Sequence, residues 1–298
     1  MKIALCFIIS YDHILNKEHI WKKWIDYNKD IINIYFFYKD KNKIKSEWIL
    51  KHTIPEEFIV STSYFHVVPA YLSILNYAMK DLSNEWFCML TDSCCPIISP
   101  QKLRYLFMNN YSKSIFNWNY AWWNIHLVKR ANLSKLPKEY HLGNDPYFVL
   151  CREHVDKIIQ FSNINFKTTK LICDGGVANE SLFAICLKKY DELENVLRNT
   201  SHIADWERMM SPTSPYLFDK ESELDKLFIE ENLKKNNYVI FIRKVSVTFS
   251  DDLLNYYIYN FSKDKDKYLF LYTIFSINNI LLTLFFVYSF YCLYLFLI

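Results

Sequence analysis

The segment "EWFCMLTDSCCPI" (residues 85–97) gives the clearest indication of the fold, because its apolar run is followed at once by an aspartate, a serine, two cysteines and a proline. A short apolar run with such a boundary is typical of a buried strand. Since Pro96 cannot donate to a strand ladder, the strand should end near Asp92. There Asp92 can accept hydrogen bonds from the hydroxyls of a ligand, or it can cap the following turn.

Similar apolar runs alternate with helical patterns along the chain. This alternation predicts the α/β class, with a mostly parallel sheet flanked by helices. The other predicted strands are residues 3–10, 32–39, 58–62, 147–151 and 238–246, and the predicted helices are residues 17–30, 68–82, 152–161 and 178–190. In such sheets functional groups collect at the carboxyl ends of the strands.

Composition and charge exclude several classes of protein. The chain is 51% hydrophobic, which excludes a disordered protein, and a net charge of +3 is too small to predict a nucleic-acid partner. Its only three glycines, at 143, 175 and 176, exclude a P-loop and a GxGxxG motif. The eight cysteines show no paired C-x-x-C spacing, so the sequence predicts no metal site.

Two further segments carry charged groups at places where chemistry is expected. In "CDGGVANESLFAI" (173–185), Glu180 follows a pair of glycines and opens a predicted helix. It can stabilise the positive end of that helix, or burial can raise its pKa enough for a general base. In "FIRKVS" (241–246), Arg243 and Lys244 end a strand and suit a diphosphate, or they form a solvated basic strand end.

Two irregular or aromatic segments complete the candidate site. "SHIADWERMMSPTSPYLF" (201–218) combines Asp205 and Trp206 with prolines, which indicates a shaped loop beside a site. "NWNYAWWN" (117–124) offers aromatic rings that can stack on sugars, or that can form a hydrophobic cluster.

The C-terminal part of the chain differs in composition from the rest. Residues 268–298 contain no Asp, Glu, Lys or Arg, and residues 280–298 are almost purely apolar. This length suffices for a helix that crosses a bilayer. The sequence therefore predicts a catalytic domain over residues 1–262, and a charged juxtamembrane segment with a C-terminal transmembrane helix over 263–298.

In their order along the chain, these segments resemble the core-2/I-branching β-1,6-N-acetylglucosaminyltransferase family, with its xylosyltransferase and plant relatives. The match at residues 85–97, to a strand followed by Ser/Asp-Ser-Cys-x-Pro, is the most specific, and the resemblance covers about residues 3–246. The other matching segments are "IYFFYKDK" (34–41), "FIVSTSYFHVVPAYLSILNYAMK" (58–80), "GNDPYFVLCREHVDKII" (143–159), "ANESLFA" (178–184), "HIADWER" (202–208) and "FIRK" (241–244).

The resemblance implies a GT-A-like glycosyltransferase fold. It also implies inverting transfer of a sugar, N-acetylglucosamine or xylose, from a UDP-sugar to a hydroxyl of a glycan or glycoprotein. Neither a metal nor another cofactor is expected. Glu180 would be the general base, and Arg243 with Lys244 would stabilise the departing UDP. The remaining residues expected at the donor or in the substrate pocket are Asp40, Asp92, Ser93, Asp205 and Trp206.

Two features depart from the family pattern. Its members are usually anchored by an N-terminal segment in the Golgi, whereas this chain begins at its first predicted strand and carries its apolar segment at the other end. We therefore expect a single-pass protein of the Golgi or another endomembrane, with its orientation left open. Two positions also differ: His66 stands where the family usually has a small residue, and Glu180 lacks the acidic residue that usually precedes it. These differences leave one alternative function, a catalytically inactive, membrane-tethered glycan-binding protein on the same fold.

Overall fold

The computed structural model describes residues 1–261, which form a sheet with helices on both of its faces. The strands are β1 (Lys2–Ile8), β2 (Ile32–Phe37), β3 (Asn84–Thr91), β4 (Cys95–Pro96), β5 (Trp118–Tyr120), β6 (Leu142–Asn144), β7 (Val149–Cys151), β8 (His202–Ala204) and β9 (Phe241–Arg243). The helices are α1 (Glu18–Asp26), α2 (Glu47–Lys51), α3 (Val68–Ala78), α4 (Pro100–Asn110), α5 (Arg152–Ile164), α6 (Phe166–Asp174), α7 (Leu182–Lys189), α8 (Glu223–Lys235) and α9 (Asp251–Tyr259).

The main sheet has the strand order β2-β1-β3-β7. Strands β2, β1 and β3 are parallel, and β7 runs antiparallel to β3. Successive side chains of β1 enter two different apolar cores, with Leu5 and Phe7 in one and Ala4 and Cys6 in the other. This alternation is the period of two that a strand requires, and the presence of a core on both faces explains why the strand is apolar throughout.

A small second sheet continues the carboxyl end of β3. Its order is β4-β9-β8, with β9 antiparallel to β4 and parallel to β8. Because β4 begins four residues after β3 ends, the pairing of Cys95 with Ile242 brings the end of β9 beside the end of β3. A separate antiparallel pair, β5 and β6, completes the strands of the described residues.

The α/β class and the parallel-containing sheet flanked by helices are confirmed. The strand predicted at residues 58–62 is wrong, because Pro55 initiates a 3₁₀ turn over Glu56–Phe58 and the chain beyond it is irregular. Instead of pairing with a further strand there, β2 forms a single β-bridge, between Phe36 and Thr53. The helix predicted over 178–190 is divided into a 3₁₀ turn, Ala178–Glu180, and α7.

No helix within residues 1–261 combines the length and the apolarity needed to cross a membrane. The predicted C-terminal anchor, in residues 263–298, lies outside the described residues.

Candidate active site

Three loops meet at the carboxyl end of the main sheet, and backbone hydrogen bonds join them. The amide of Asn16, in the loop after β1, donates to the carbonyl of Asp92 after β3 (2.9 Å). The side chain of Asn16 donates to the carbonyl of Val245 (2.7 Å), and the amide of Val245 donates to the carbonyl of Ser93 (2.8 Å). These bonds fix the segments that follow β1, β3 and β9 relative to one another.

Arg243, the last residue of β9, forms the centre of the site. It is only 6% exposed, and its guanidinium carbon lies 3.7 Å from the ring centroid of Tyr147. Its Nε has no hydrogen-bond partner among the described residues. Burial raises the pKa of Tyr147 to about 12, so the ring is a neutral phenol against the cation. Such a cation–π contact holds the guanidinium in place while most of its N–H groups remain free for a ligand.

Asp92 and Lys244 lie beside Arg243. Burial raises the pKa of Asp92, against the opposing effects of hydrogen bonds from Ser93 and the charge of Arg243. Burial also lowers the pKa of Lys244, as does the charge of Arg243, while Asp92 raises it. The ammonium group of Lys244 donates to the hydroxyl of Ser214 (2.8 Å). The structure thus brings together four residues predicted from the sequence, Asp92, Ser93, Arg243 and Lys244.

Glu180 lies close enough to Arg243 for the charge of the guanidinium to lower its pKa. Its carboxylate is half-buried and accepts a hydrogen bond from Arg130, with 2.9 Å between Oε2 and Nη1. Burial raises the pKa of Glu180, and the negative charge of Asp145 adds to this, whereas Arg130 and Arg243 oppose it. A carboxyl group with a raised pKa next to a fixed cation is a candidate general base.

The chain segment that carries Glu180 is tightly held. The amide of Val177 donates to the carbonyl of Phe65 (2.7 Å), and the carbonyl of Gly176 accepts from the amide of Ala131 (2.9 Å). A Cβ atom at Gly175 would lie 2.2 Å from the backbone nitrogen of Asn132, so this position has no room for a side chain. The glycines therefore allow the close approach of two backbone segments that places Glu180.

Three residues of the site were missed from the sequence: Arg130, Asp145 and Tyr147. Because β7 is antiparallel to β3, the residues before β7 lie at the same edge as the carboxyl end of β3. If β7 were parallel to β3, as the sequence predicts for most strands, these residues would lie at the opposite end of the strands. The polar pair "ND" just before "PYF" (144–148) is the signal in the sequence. It would have predicted a site residue at Asp145 if the direction of β7 had been known. Nothing in the sequence around Arg130 marks it.

The other predicted residues have contacts within the protein. Asp40 caps a 3₁₀ turn by accepting from the amide of Asn42 (3.0 Å), and its own amide donates to Nε2 of His13 (3.0 Å). Asp205 is 2% exposed and forms an ion pair with Arg208 (2.6 Å), whereas Trp206 is 46% exposed. The carboxylate of Asp205 therefore shapes the loop, and its role in a substrate pocket stays a prediction.

Cys94 and Cys95 are buried thiols whose pKa is raised by burial, which favours packing over reactivity. Within residues 1–261 no group of three or more His, Cys, Asp or Glu side chains is arranged to hold a metal ion.

Comparison with known proteins gives one family. No curated protein matches the chain significantly. The family model described as "Branch: Core-2/I-Branching enzyme" matches residues 19–231, more than half of the chain, and it includes Asp92, Asp145 and Glu180. The resemblance seen in the sequence is thereby confirmed. The chain belongs to the Core-2/I-Branching enzyme family and is a glycosyltransferase.

Proposed function

We propose that the protein is an inverting transferase that moves a sugar from a UDP-sugar to a hydroxyl of a glycan or glycoprotein. N-acetylglucosamine or xylose is the proposed sugar, and the proposed fold type is GT-A-like. One observation carries the proposal: a carboxyl group with a raised pKa, Glu180, and a buried cation, Arg243, interact in one site at the strand ends. They are a base and a stabiliser of a leaving anion, the two groups that such a transfer needs.

Glu180 is proposed to act on the acceptor. As the acceptor oxygen attacks the anomeric carbon, the carboxylate removes its proton and the new glycosidic bond forms. The bond between the anomeric carbon and the phosphate oxygen breaks on the opposite face of the sugar, and its electron pair leaves with UDP. The raised pKa of Glu180 makes it a stronger base than an exposed carboxylate, while Arg130 favours the ionised form that is needed for attack.

Arg243 and Lys244 are proposed to stabilise the departing diphosphate. Arg243 offers a planar set of donors held by Tyr147, and Lys244 offers a point charge beside it. We propose that these cations carry the task without a divalent metal or another cofactor. The chain's one Asp-x-Asp sequence, Asp264 to Asp266, lies outside the described residues.

The remaining predicted residues are proposed to recognise the substrates. Asp92, with Ser93 donating to it, is available to bind donor hydroxyls. Asp40 lies at the end of β2, joined through His13 to the loop after β1, and is proposed to lie near the nucleotide. Trp206 is exposed and is proposed to contact the acceptor, with Asp205 shaping its loop.

The test is Glu180→Gln in the full chain, assayed with a panel of UDP-sugars and acceptors in the presence of EDTA. Loss of a general base predicts a fall in kcat of roughly 10²–10⁴-fold, with the affinity for UDP retained in a calorimetric titration. The matched control is Glu231→Gln, an exposed glutamate of α8, which should leave both quantities unchanged.

Full turnover by the Glu180→Gln protein would remove Glu180 as the base. Activity of the unmodified protein that appears only when manganese replaces EDTA would contradict the metal-free proposal. Glycan binding without turnover or UDP affinity would support the inactive glycan-binding protein instead.

We further propose that the protein is attached to the Golgi or another endomembrane through residues 268–298, which contain no charged residue. Extraction of the full-length protein from membranes by alkaline carbonate would contradict this attachment.

A further inference from the structure

We propose that Asp145 is a specificity-determining residue, which makes the acceptor side of the site favour neutral sugars over sugars that carry a carboxylate or sulfate. The inference rests on the proposed function, because Glu180 as general base defines which side the acceptor occupies.

Asp145 is held next to Glu180 by the segments that carry the two residues. The side-chain amide of Asn144 donates to the carbonyl of Asn179 (2.9 Å), and its Oδ1 accepts from the amide of Ala184 (3.2 Å). Asp145 is the residue after Asn144, and Glu180 is the residue after Asn179. The hydrogen bond between Asn144 and Asn179 therefore brings the two acidic residues close together. Consistent with this closeness, the charge of Asp145 contributes to the raised pKa of Glu180.

The carboxylate of Asp145 is fixed by neutral partners. Asn117 donates to it from its side chain (3.2 Å), and the carbonyl of Asn117 accepts from the amide of Asp145 (3.1 Å). The side chains of Asn117 and Thr200 oppose the increase in the pKa of Asp145 that burial causes. Within residues 1–261 Asp145 has no ion pair, whereas Glu180 is paired with Arg130.

The groups proposed to contact the diphosphate and the acceptor therefore differ in charge. Arg243 and Lys244 provide positive charge where the diphosphate is proposed to leave, and Glu180 and Asp145 outnumber Arg130 where the acceptor is proposed to bind. A partly desolvated carboxylate accepts hydrogen bonds from sugar hydroxyls but repels a second anion. Repulsion between like charges placed next to each other lowers the affinity by a factor of roughly ten or more. A repulsive group of this kind confers selectivity against the wrong substrate.

The experiment compares a panel of neutral hexose glycosides with the same glycosides carrying one sulfate on a hydroxyl that does not accept the sugar, with the full-length protein at a pH above the acid limb of its rate profile. We expect kcat/KM to favour the neutral acceptor by at least about tenfold, and this ratio to shrink as the salt concentration rises. Asp145→Asn should reduce the ratio by about the same factor, whereas Asp145→Glu, which keeps the charge, should retain most of it.

The control is Asp156→Asn, which removes the same charge from an exposed position of α5 and should leave the ratio unchanged. Thermal melting of each variant verifies that it is folded. An unchanged ratio in a folded, active Asp145→Asn protein overturns the inference and leaves the proposed function intact. Absence of transfer by the unmodified protein to every acceptor contradicts the proposed function itself.

Discussion

At the scale of a single side chain, Arg130 and Asp145 have opposite effects on the pKa of Glu180. Arg130 favours its ionised form through a hydrogen bond and its charge, and Asp145 together with burial favours the protonated form. A base needs a pKa high enough to take a proton and low enough to be ionised at the working pH. Arg130 has the largest effect in favour of the ionised form, ahead of Arg243, and its guanidinium carbon lies 5.4 Å from the ring centroid of Trp123.

Replacing Arg130 by Met should therefore move the pH dependence of the reaction. Without the guanidinium the pKa of Glu180 rises further, because burial and the charge of Asp145 still raise it and less positive charge remains to lower it. The proposed base is then ionised only at higher pH, and the acid limb of the profile of kcat/KM should shift upward by on the order of one pH unit. Initial rates measured from pH 5 to 9 give this limb.

Two variants serve as controls for this shift. Arg130→Lys keeps the positive charge and should restore much of the original profile. Arg104→Met removes a similarly exposed arginine that pairs with Asp30, away from the site, and should not move the profile. A profile that is identical in the Arg130→Met and unmodified proteins would show that the ion pair does not tune the base.

Asp92 and Arg243 could be predicted from the sequence because each stands at the end of an apolar run that reads as a strand. Arg243 reaches the end of β3 through the second sheet, β4-β9-β8, and not as a further strand of one parallel sheet. Asp145 and Tyr147 depended on the direction of β7, and that direction is set by pairing with β3, far away in the chain. The local sequence pattern of a strand does not say whether it will pair with a distant strand in the parallel or the antiparallel direction.

At the scale of elements, the loop between α6 and α7 determines where Glu180 lies. Gly175 packs against the backbone at Asn132, and Val177 adopts a left-handed conformation with φ of 47°. This region of φ is unfavourable for a β-branched residue. The surrounding hydrogen bonds to Phe65 and Ala131 hold the segment in this conformation. The split of one predicted helix into a 3₁₀ turn and α7 has the same origin, since these contacts override helical propensity.

Gly175→Ala tests whether this packing places the base. The added Cβ would meet backbone atoms at 2.2 Å, which cannot move as a flexible side chain can. We expect the free energy of unfolding to fall by about 1–3 kcal/mol, as for other overpacked sites. We also expect kcat to fall, on the order of 10²-fold for a displacement of about 1 Å at the base. Urea denaturation and steady-state kinetics measure the two effects.

Gly176→Ala is the matched comparison in the same loop. Its nearest neighbour is the Cβ of Phe65 at 3.6 Å, so the substitution costs mainly the strain of a left-handed alanine at φ of 66°. That strain is about 1–2 kcal/mol. Equal losses of stability and activity in the two variants would mean that conformational strain, and not close packing at Gly175, governs the loop.

At the scale of the whole molecule, two buried histidines make stability depend on pH. Burial lowers the pKa of His154, against the opposing charge of Glu192, and burial with the charge of Arg243 lowers the pKa of His202 well below its usual range. Both side chains can take up a proton near pH 6.5 only when the chain unfolds. The stability they confer is therefore present above that pH and is lost as the pH falls below it.

Glu192 causes a further loss of stability at lower pH. Hydrogen bonds from Asn195 and Lys157 lower its pKa to about 2, so its contribution is present above about pH 4.5 and disappears as the pH approaches 2. The carboxyl groups with raised pKa values, Asp92, Asp145 and Glu180, act in the opposite direction, because the folded state binds their protons more readily. Because the ordinary pKa of histidine, about 6.5, is higher than that of a carboxyl group, about 4, we expect the histidines to have the larger effect between pH 7 and pH 5.5.

We expect the free energy of unfolding to be about 1–3 kcal/mol smaller at pH 5.5 than at pH 7, as two histidines with lowered pKa values imply. Urea denaturation at both pH values measures the difference. His154→Gln should remove part of this dependence, because the glutamine does not titrate. His126→Gln, at an exposed position, should leave the dependence unchanged. A pH dependence that is the same in the His154→Gln and unmodified proteins would mean that His154 titrates alike in the folded and unfolded states, contrary to its burial.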